Sequence, residues 1–257
     1  MWLRIRQIAL VAEQLEPVIE DFRAVLGLEV CFVDPSVKVF GLHNSLMTVG
    51  NQFIEVVAPI EEGTTAGRYL ERRGGDGGYM VITQCDDHAA RQARVGAIGV
   101  RQAWGMEHGD YRCMQLHPKD TGGSFFEIDA MVGEGAHDPD GPWEPAGGRG
   151  WEQHRRLERV RAITGAELQS DDPAGLAARW ASIAELPVGT DAEGNPIVEL
   201  DNATLRFVTA TDGRGEGLGG IDVATVDAAA ILEAARARGA YINAGQVLLG
   251  GLRVNLR

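Results

Sequence analysis

Two carboxylates have the surroundings that chemistry needs. Glu55 lies within Asn51-Gln-Phe-Ile-Glu-Val-Val-Ala-Pro59, and Glu127 within Leu116-His-Pro-Lys-Asp-Thr-Gly-Gly-Ser-Phe-Phe-Glu-Ile-Asp129. Each stands on an apolar, strand-like run that follows a turn. Alternation along a strand puts Glu55 on one face with Phe53 and Val57, and Glu127 with Phe125 and Asp129. Ile54, Val56, Phe126 and Ile128 take the opposite face. A carboxylate among apolar neighbours must be paired, hydrogen-bonded, metal-bound or protonated, because burying it bare is costly. Two of them facing one cleft have the makings of a general base and a general acid, which would move a proton at a carbon next to a carbonyl. Burial and a like-charged neighbour each push a carboxyl pKa toward neutrality. The plain alternative is a structural pair, hydrogen-bonded to Gln7 or to arginines.

The elements that must position these acids repeat. Leu3 to Val11 reads as a strand and Leu15 to Leu26 as an amphipathic helix ended by Gly27, followed by strands over Leu28 to Val33, Val37 to Leu42 and Gln52 to Ala58. His43-Asn44-Ser45 reads as a turn. After a connector and the break Gly74-Gly-Asp-Gly-Gly78 the order returns: strand Tyr79 to Cys85, helix Asp87 to Val95, then strands near Val100 to Trp104, Tyr111 to Leu116 and Ser124 to Ala130. Glu55 follows Gln7 by 48 residues, and Glu127 follows Met80 by 47. This is a repeated unit. Residues 133–150 hold six glycines and three prolines and read as a linker, beyond which two weaker copies follow. The expected fold is α+β, four βαβββ units paired into two domains, residues 1–132 and 151–257.

Composition narrows the partners. The 257 residues are 44% hydrophobic and carry a formal charge of −13, which argues against nucleic acid and anionic membrane surfaces. The first residues enter a strand pattern at once, and no apolar run reaches the roughly 18 residues of a membrane span. A soluble, cytoplasmic protein is expected. Cys31, Cys85 and Cys113 lack CxxC spacing, so neither a disulfide framework nor a thiolate zinc site is indicated.

With its paired βαβββ units the chain resembles the vicinal oxygen chelate superfamily, the glyoxalase, bleomycin-resistance and extradiol-dioxygenase group. The resemblance is carried by Val25-Leu-Gly-Leu-Glu-Val30, Phe53-Ile-Glu-Val-Val-Ala-Pro59 and His117-Pro-Lys-Asp-Thr-Gly-Gly-Ser-Phe-Phe-Glu127. The last is similar to the final-strand motif of methylmalonyl-CoA epimerases. In that superfamily a divalent metal is held by one residue from the first strand and one from the last strand of each unit. The resemblance therefore implies Gln7, Glu55 and Glu127 as oxygen ligands, with Met80 a poor fourth. The usual histidines are missing, which argues against a zinc site of the imidazole type. The oxygen-rich set better suits magnesium, manganese or another hard ion, with iron and zinc kept as alternatives and a site without metal as the other reading. In the second pair the same positions are Gly165, Gly220, Arg206 and Asn255. That set lacks the iron ligands of an extradiol dioxygenase and argues against that reaction, leaving Arg206 as an anion contact.

The candidate ligand-binding residues are Gln7, His43, Phe53, Met80, Trp104, His117 and Phe125, the two histidines because each falls at a strand end beside a turn. No phosphate-binding loop, dinucleotide fingerprint or nucleophile motif occurs in suitable context. The leading expectation is a small-molecule lyase or isomerase acting beside a carbonyl through Glu55 and Glu127. The rival is a metal-free protein that binds or sequesters an aromatic or hydrophobic compound, and a third reading is a non-catalytic subunit. Sheet edges make a homodimer plausible.

Overall fold

The structure, a computed structural model, describes all 257 residues. The first half runs β1 (Leu3–Val11), α1 (Leu15–Leu26), β2 (Val30–Phe32), a 3₁₀ helix (Pro35–Phe40), β3 (Leu42–Val49), β4 (Gln52–Pro59) and α2 (Thr65–Arg73). It continues with β5 (Gly77–Cys85), α3 (His88–Ala97), β6 (Gln102–His108), β7 (Tyr111–Leu116), the single turn α4 (Pro118–Thr121) and β8 (Phe125–Met131). The second half contains β9 (Val160–Ser170), α5 (Pro173–Ala184), β10 (Gly189–Thr190), β11 (Pro196–Glu199), β12 (Thr204–Thr209), β13 (Gly217–Thr225), α6 (Ala228–Ala237), β14 (Tyr241–Asn243), β15 (Gln246–Leu249) and β16 (Leu252–Leu256). No helix is long and apolar enough to cross a membrane.

Each half forms one eight-stranded mixed sheet, ordered β2-β3-β4-β1-β5-β8-β7-β6 and β10-β11-β12-β9-β13-β16-β15-β14. The orders match strand for strand, and so do local signals. Asp87, Asp172 and Asp227 each accept a backbone N–H three residues on, and thus cap the helices of units two, three and four. The register repeats too. Ala9 of β1 lies opposite Glu55 of β4, as Ile82 of β5 lies opposite Glu127 of β8. The four-unit α+β architecture is therefore present.

Alternation sorts the side chains as expected. Ile54, Val56, Phe126 and Ile128 enter a core that continues into the second half, whereas Phe53, Val57, Phe125 and Met131 belong to a separate cluster on the other face of the first sheet. Trp180 of α5 locks the halves together: its ring stacks on Phe126 at 4.3 Å and its indole N–H donates to Thr121 O at 2.7 Å.

One stretch departs from expectation. The strand expected over 37–42 is the 3₁₀ helix, started by Asp34, which accepts from Ser36 N, and ended by Gly41 at φ 69°. The residues expected as a turn, His43, Asn44 and Ser45, are the start of β3. Polar residues read as a turn from local chemistry, but Asn44 has a buried partner in the neighbouring strand.

Candidate active site

The second face of the first sheet curls around a cavity of about 1930 Å³. Glu55 and Glu127 line it from β4 and β8, the corresponding strands of the two units, with Gln7, Val57, Met80, Ile82, Tyr111, Cys113 and Phe125 around them. At the mouth, Phe40 from the 3₁₀ helix meets Trp104 from the edge strand β6, edge to face with ring centroids 5.4 Å apart. The two ends of the sheet thus touch across the opening.

Glu55 is held by amides. Gln7 Nε2 donates to Oε2 at 2.9 Å and Asn44 Nδ2 donates to Oε1 at 2.5 Å. Burial raises its pKa to about 7, aided by the charge of Glu127, while the Asn44 and Gln7 donors pull it back. Glu127 accepts from Gln115 Nε2 at 2.8 Å and is also raised by burial, with that donor opposing. Asp129, fully buried on the same face, accepts from the Tyr111 hydroxyl at 2.6 Å; burial and then the charge of Glu127 lift it well above the usual range. Each of these neighbouring buried carboxyls makes ionisation of the other harder, and the two titrate together. The cleft therefore offers one acid poised between its forms and a neighbouring pair whose ionisation is resisted by burial.

The metal implied for Gln7, Glu55 and Glu127 meets a geometric obstacle. The indole of Trp143 donates to Gln7 Oε1 at 2.8 Å, which turns the amide nitrogen, not the oxygen, toward Glu55. An amide ligates through its oxygen, and an ion between Gln7 and Glu55 would need the reverse orientation. These residues do not fit that metal. Cys113, Glu127 and Asp129 bring three ligand atoms within 4.8 Å of one another, a group able in principle to hold an ion.

Of the residues singled out from sequence, Gln7, Met80, Trp104, His117 and Phe125 line the cavity with the two acids. His117 also caps α4, its Nδ1 accepting from Lys119 N at 3.1 Å. The structure places two of the ligand-binding candidates outside the cavity lining. His43 lies outside the lining because alternation on β3 sends Asn44, not His43, inward. Phe53 is fully buried behind the cavity, its ring 5.1 Å from Trp151. Sequence reasoning missed Asn44, Tyr111, Cys113, Gln115 and Trp143. Alternation from Tyr111 to Gln115 against Glu127 was the one available signal for three of them.

In the second sheet the equivalent positions are filled by an ion-pair network. Arg206 donates to Asp222 at 2.6 Å and to Glu167 at 2.9 Å, and Asn255 donates to Asp222 at 2.8 Å. Both terminal nitrogens of Arg206 are taken up by these carboxylates, which disfavours the anion contact expected of it.

Four βαβββ units in two matching sheets, with paired acids in the cleft of one, define a vicinal oxygen chelate protein. A family model described as a glyoxalase-like domain matches residues 8–184, and the chain belongs to that family. It is 27% identical over 133 residues to an ethylmalonyl-CoA/methylmalonyl-CoA epimerase of Cereibacter sphaeroides, covering 50% of this chain and 98% of that one. A protein of Staphylococcus aureus described as hypothetical shares the whole fold, with a TM-score of 0.67 at 11% identity over 100% of this chain and 99% of its own. The methylmalonyl-CoA epimerase of Mycobacterium tuberculosis aligns with 51% of this chain and 89% of its own at 22% identity, TM-score 0.45.

Proposed function

We propose that this protein transfers protons at a carbon next to a carbonyl, as an isomerase or lyase of small acyl compounds. The observation that supports this is the placement of Glu55 and Glu127 at matching register positions of two units, lining one cavity, with Glu55 poised at about 7. A general base works best when its pKa lies near the working pH. In its ionised form Glu55 takes the proton from the substrate carbon, and the electron pair moves onto the carbonyl oxygen. Glu127, whose carboxyl burial pushes toward its protonated form, is the group that returns a proton to carbon. Asn44 and Gln7 keep the Glu55 carboxylate aimed while it is charged. No step requires a metal.

The names of the epimerase relatives suggest 2-substituted malonyl thioesters as first substrates. Methylmalonyl-CoA incubated with the protein in D₂O is expected to gain deuterium at the carbon between its carbonyls; Glu55→Gln is expected to lose most of this exchange, and Glu127→Gln most of the inversion at that carbon. Exchange by Glu55→Gln, or inversion by Glu127→Gln, at the wild-type rate would refute the assignment. The apolar and aromatic lining, Met80, Phe125, Tyr79 and Trp104, favours a second reading as a binding protein. Ligand binding that survives Glu55→Gln with Glu127→Gln, without exchange in the wild type, would establish it.

A further inference from the structure

The connector between the sheets is bound to the first sheet carbonyl by carbonyl. Gln84 Nε2 donates to Ala136 O at 2.9 Å, and Arg4 donates to His137 O at 3.1 Å and Asp138 O at 2.9 Å. Arg6 donates to Pro139 O and, at 2.8 Å, to Gly141 O. The Arg6 guanidinium is buried against the faces of Phe53, Trp143 and Trp151. Only glycine fits at 141, since a Cβ there would stand 2.2 Å from Gly135 O. The segment then closes on itself, Trp143 N–H to Gly148 O at 2.7 Å and Gly148 N–H to Trp143 O at 2.9 Å. A chain secured at this many points is a built part of the cleft, and its product is one fully buried indole whose N–H meets Gln7 Oε1 at 2.8 Å.

An indole N–H can only donate, whereas a primary amide donates at one end and accepts at the other. The Trp143 bond therefore decides which end of Gln7 faces Glu55. We infer that Trp143 is a positioning residue: the docked connector uses it to fix the Gln7 amide so that its N–H₂ is presented to Glu55. This rests on Glu55 being the proton-transfer group of the cleft. Without the indole, the amide is free to turn its oxygen to Glu55, and two acceptors then face each other unless the carboxyl keeps its proton. The other charged groups that bear on Glu55 are Glu127 of β8 and Asp34 ahead of the 3₁₀ helix.

The test uses the full chain without substrate. The Glu55 side-chain carboxyl carbon is titrated by NMR in wild type, Trp143→Phe, Gln7→Leu and the double variant. Trp143→Phe is expected to raise the Glu55 midpoint by about one pH unit, a tenfold gain in proton affinity. Gln7→Leu should raise it similarly, and adding Trp143→Phe to Gln7→Leu should change nothing further. An unmoved midpoint in Trp143→Phe, or the same displacement with and without Gln7, overturns the inference. Should Trp143→Phe fail to fold, Gln7→Leu reads the bond from its other end. The Trp143 indole N–H resonance should then move upfield and exchange faster, and an unmoved resonance overturns the inference. None of these readouts needs turnover, so they separate this inference from the proton-transfer reading.

Discussion

Replacing Glu55 by glutamine probes the cleft through folding stability. Burial lifts the Glu55 carboxyl from 4.5 to about 7, so between those values the folded protein keeps a proton that the unfolded chain releases. The sign follows from linkage: with the folded pKa above the unfolded one, this group's stabilisation is complete below about pH 4.5 and is lost as pH rises through about 7. A gap of about 2.5 pH units at about 1.36 kcal/mol each gives about 3 kcal/mol. Glu55→Gln removes the titration but also creates a mismatch. Asn44 and Gln7 both donate to Glu55, and the introduced amide can accept at only one end. Gln7 is held by Trp143 and Asn44 by the Asp34 N–H, so neither can turn and one of the two bonds is lost, at a pH-independent cost of about 1–3 kcal/mol. The assay is urea unfolding followed by circular dichroism from about pH 5 to about pH 8. The variant should be less stable than wild type at the acid end, and the difference should move in its favour by most of the 3 kcal/mol at the alkaline end. A stability difference that stays constant across this range would refute the reasoning about Glu55.

Two further outcomes are expected. Trp180→Ala removes the ring stacked on Phe126 and the donor to Thr121 O, and should cost about 3–5 kcal/mol in denaturant unfolding; a loss below about 1 kcal/mol would mean that the halves are held elsewhere. Dialysis against EDTA should leave both deuterium exchange and melting temperature unchanged, because the Gln7 amide nitrogen faces Glu55. Activity lost on chelation and restored by manganese or magnesium would show that the cleft holds an ion, through a turned Gln7 or through the Cys113, Glu127 and Asp129 group.

The sequence by itself determined the repeat and the face of the strand. Period-two alternation assigned Glu55 and Glu127 to one side and Ile54, Val56, Phe126 and Ile128 to the other, because a strand has no choice about where successive side chains point. Near-equal spacing from Gln7 to Glu55 and from Met80 to Glu127 marked corresponding positions, and the register places them so. Local chemistry misled where tertiary partners overrode it. Asn44 carries turn character, yet its amide is buried against Glu55, and the strand forms around that bond. Residues 133–150 have the composition of a spacer, but the arginines that bind their carbonyls lie more than 130 residues earlier in the chain. Only the tertiary structure decided that Trp143 meets Gln7, and so which end of that amide faces the acid. A hydrogen bond between residues 136 positions apart leaves no periodicity or motif in the sequence, because it depends on where the chain returns in space.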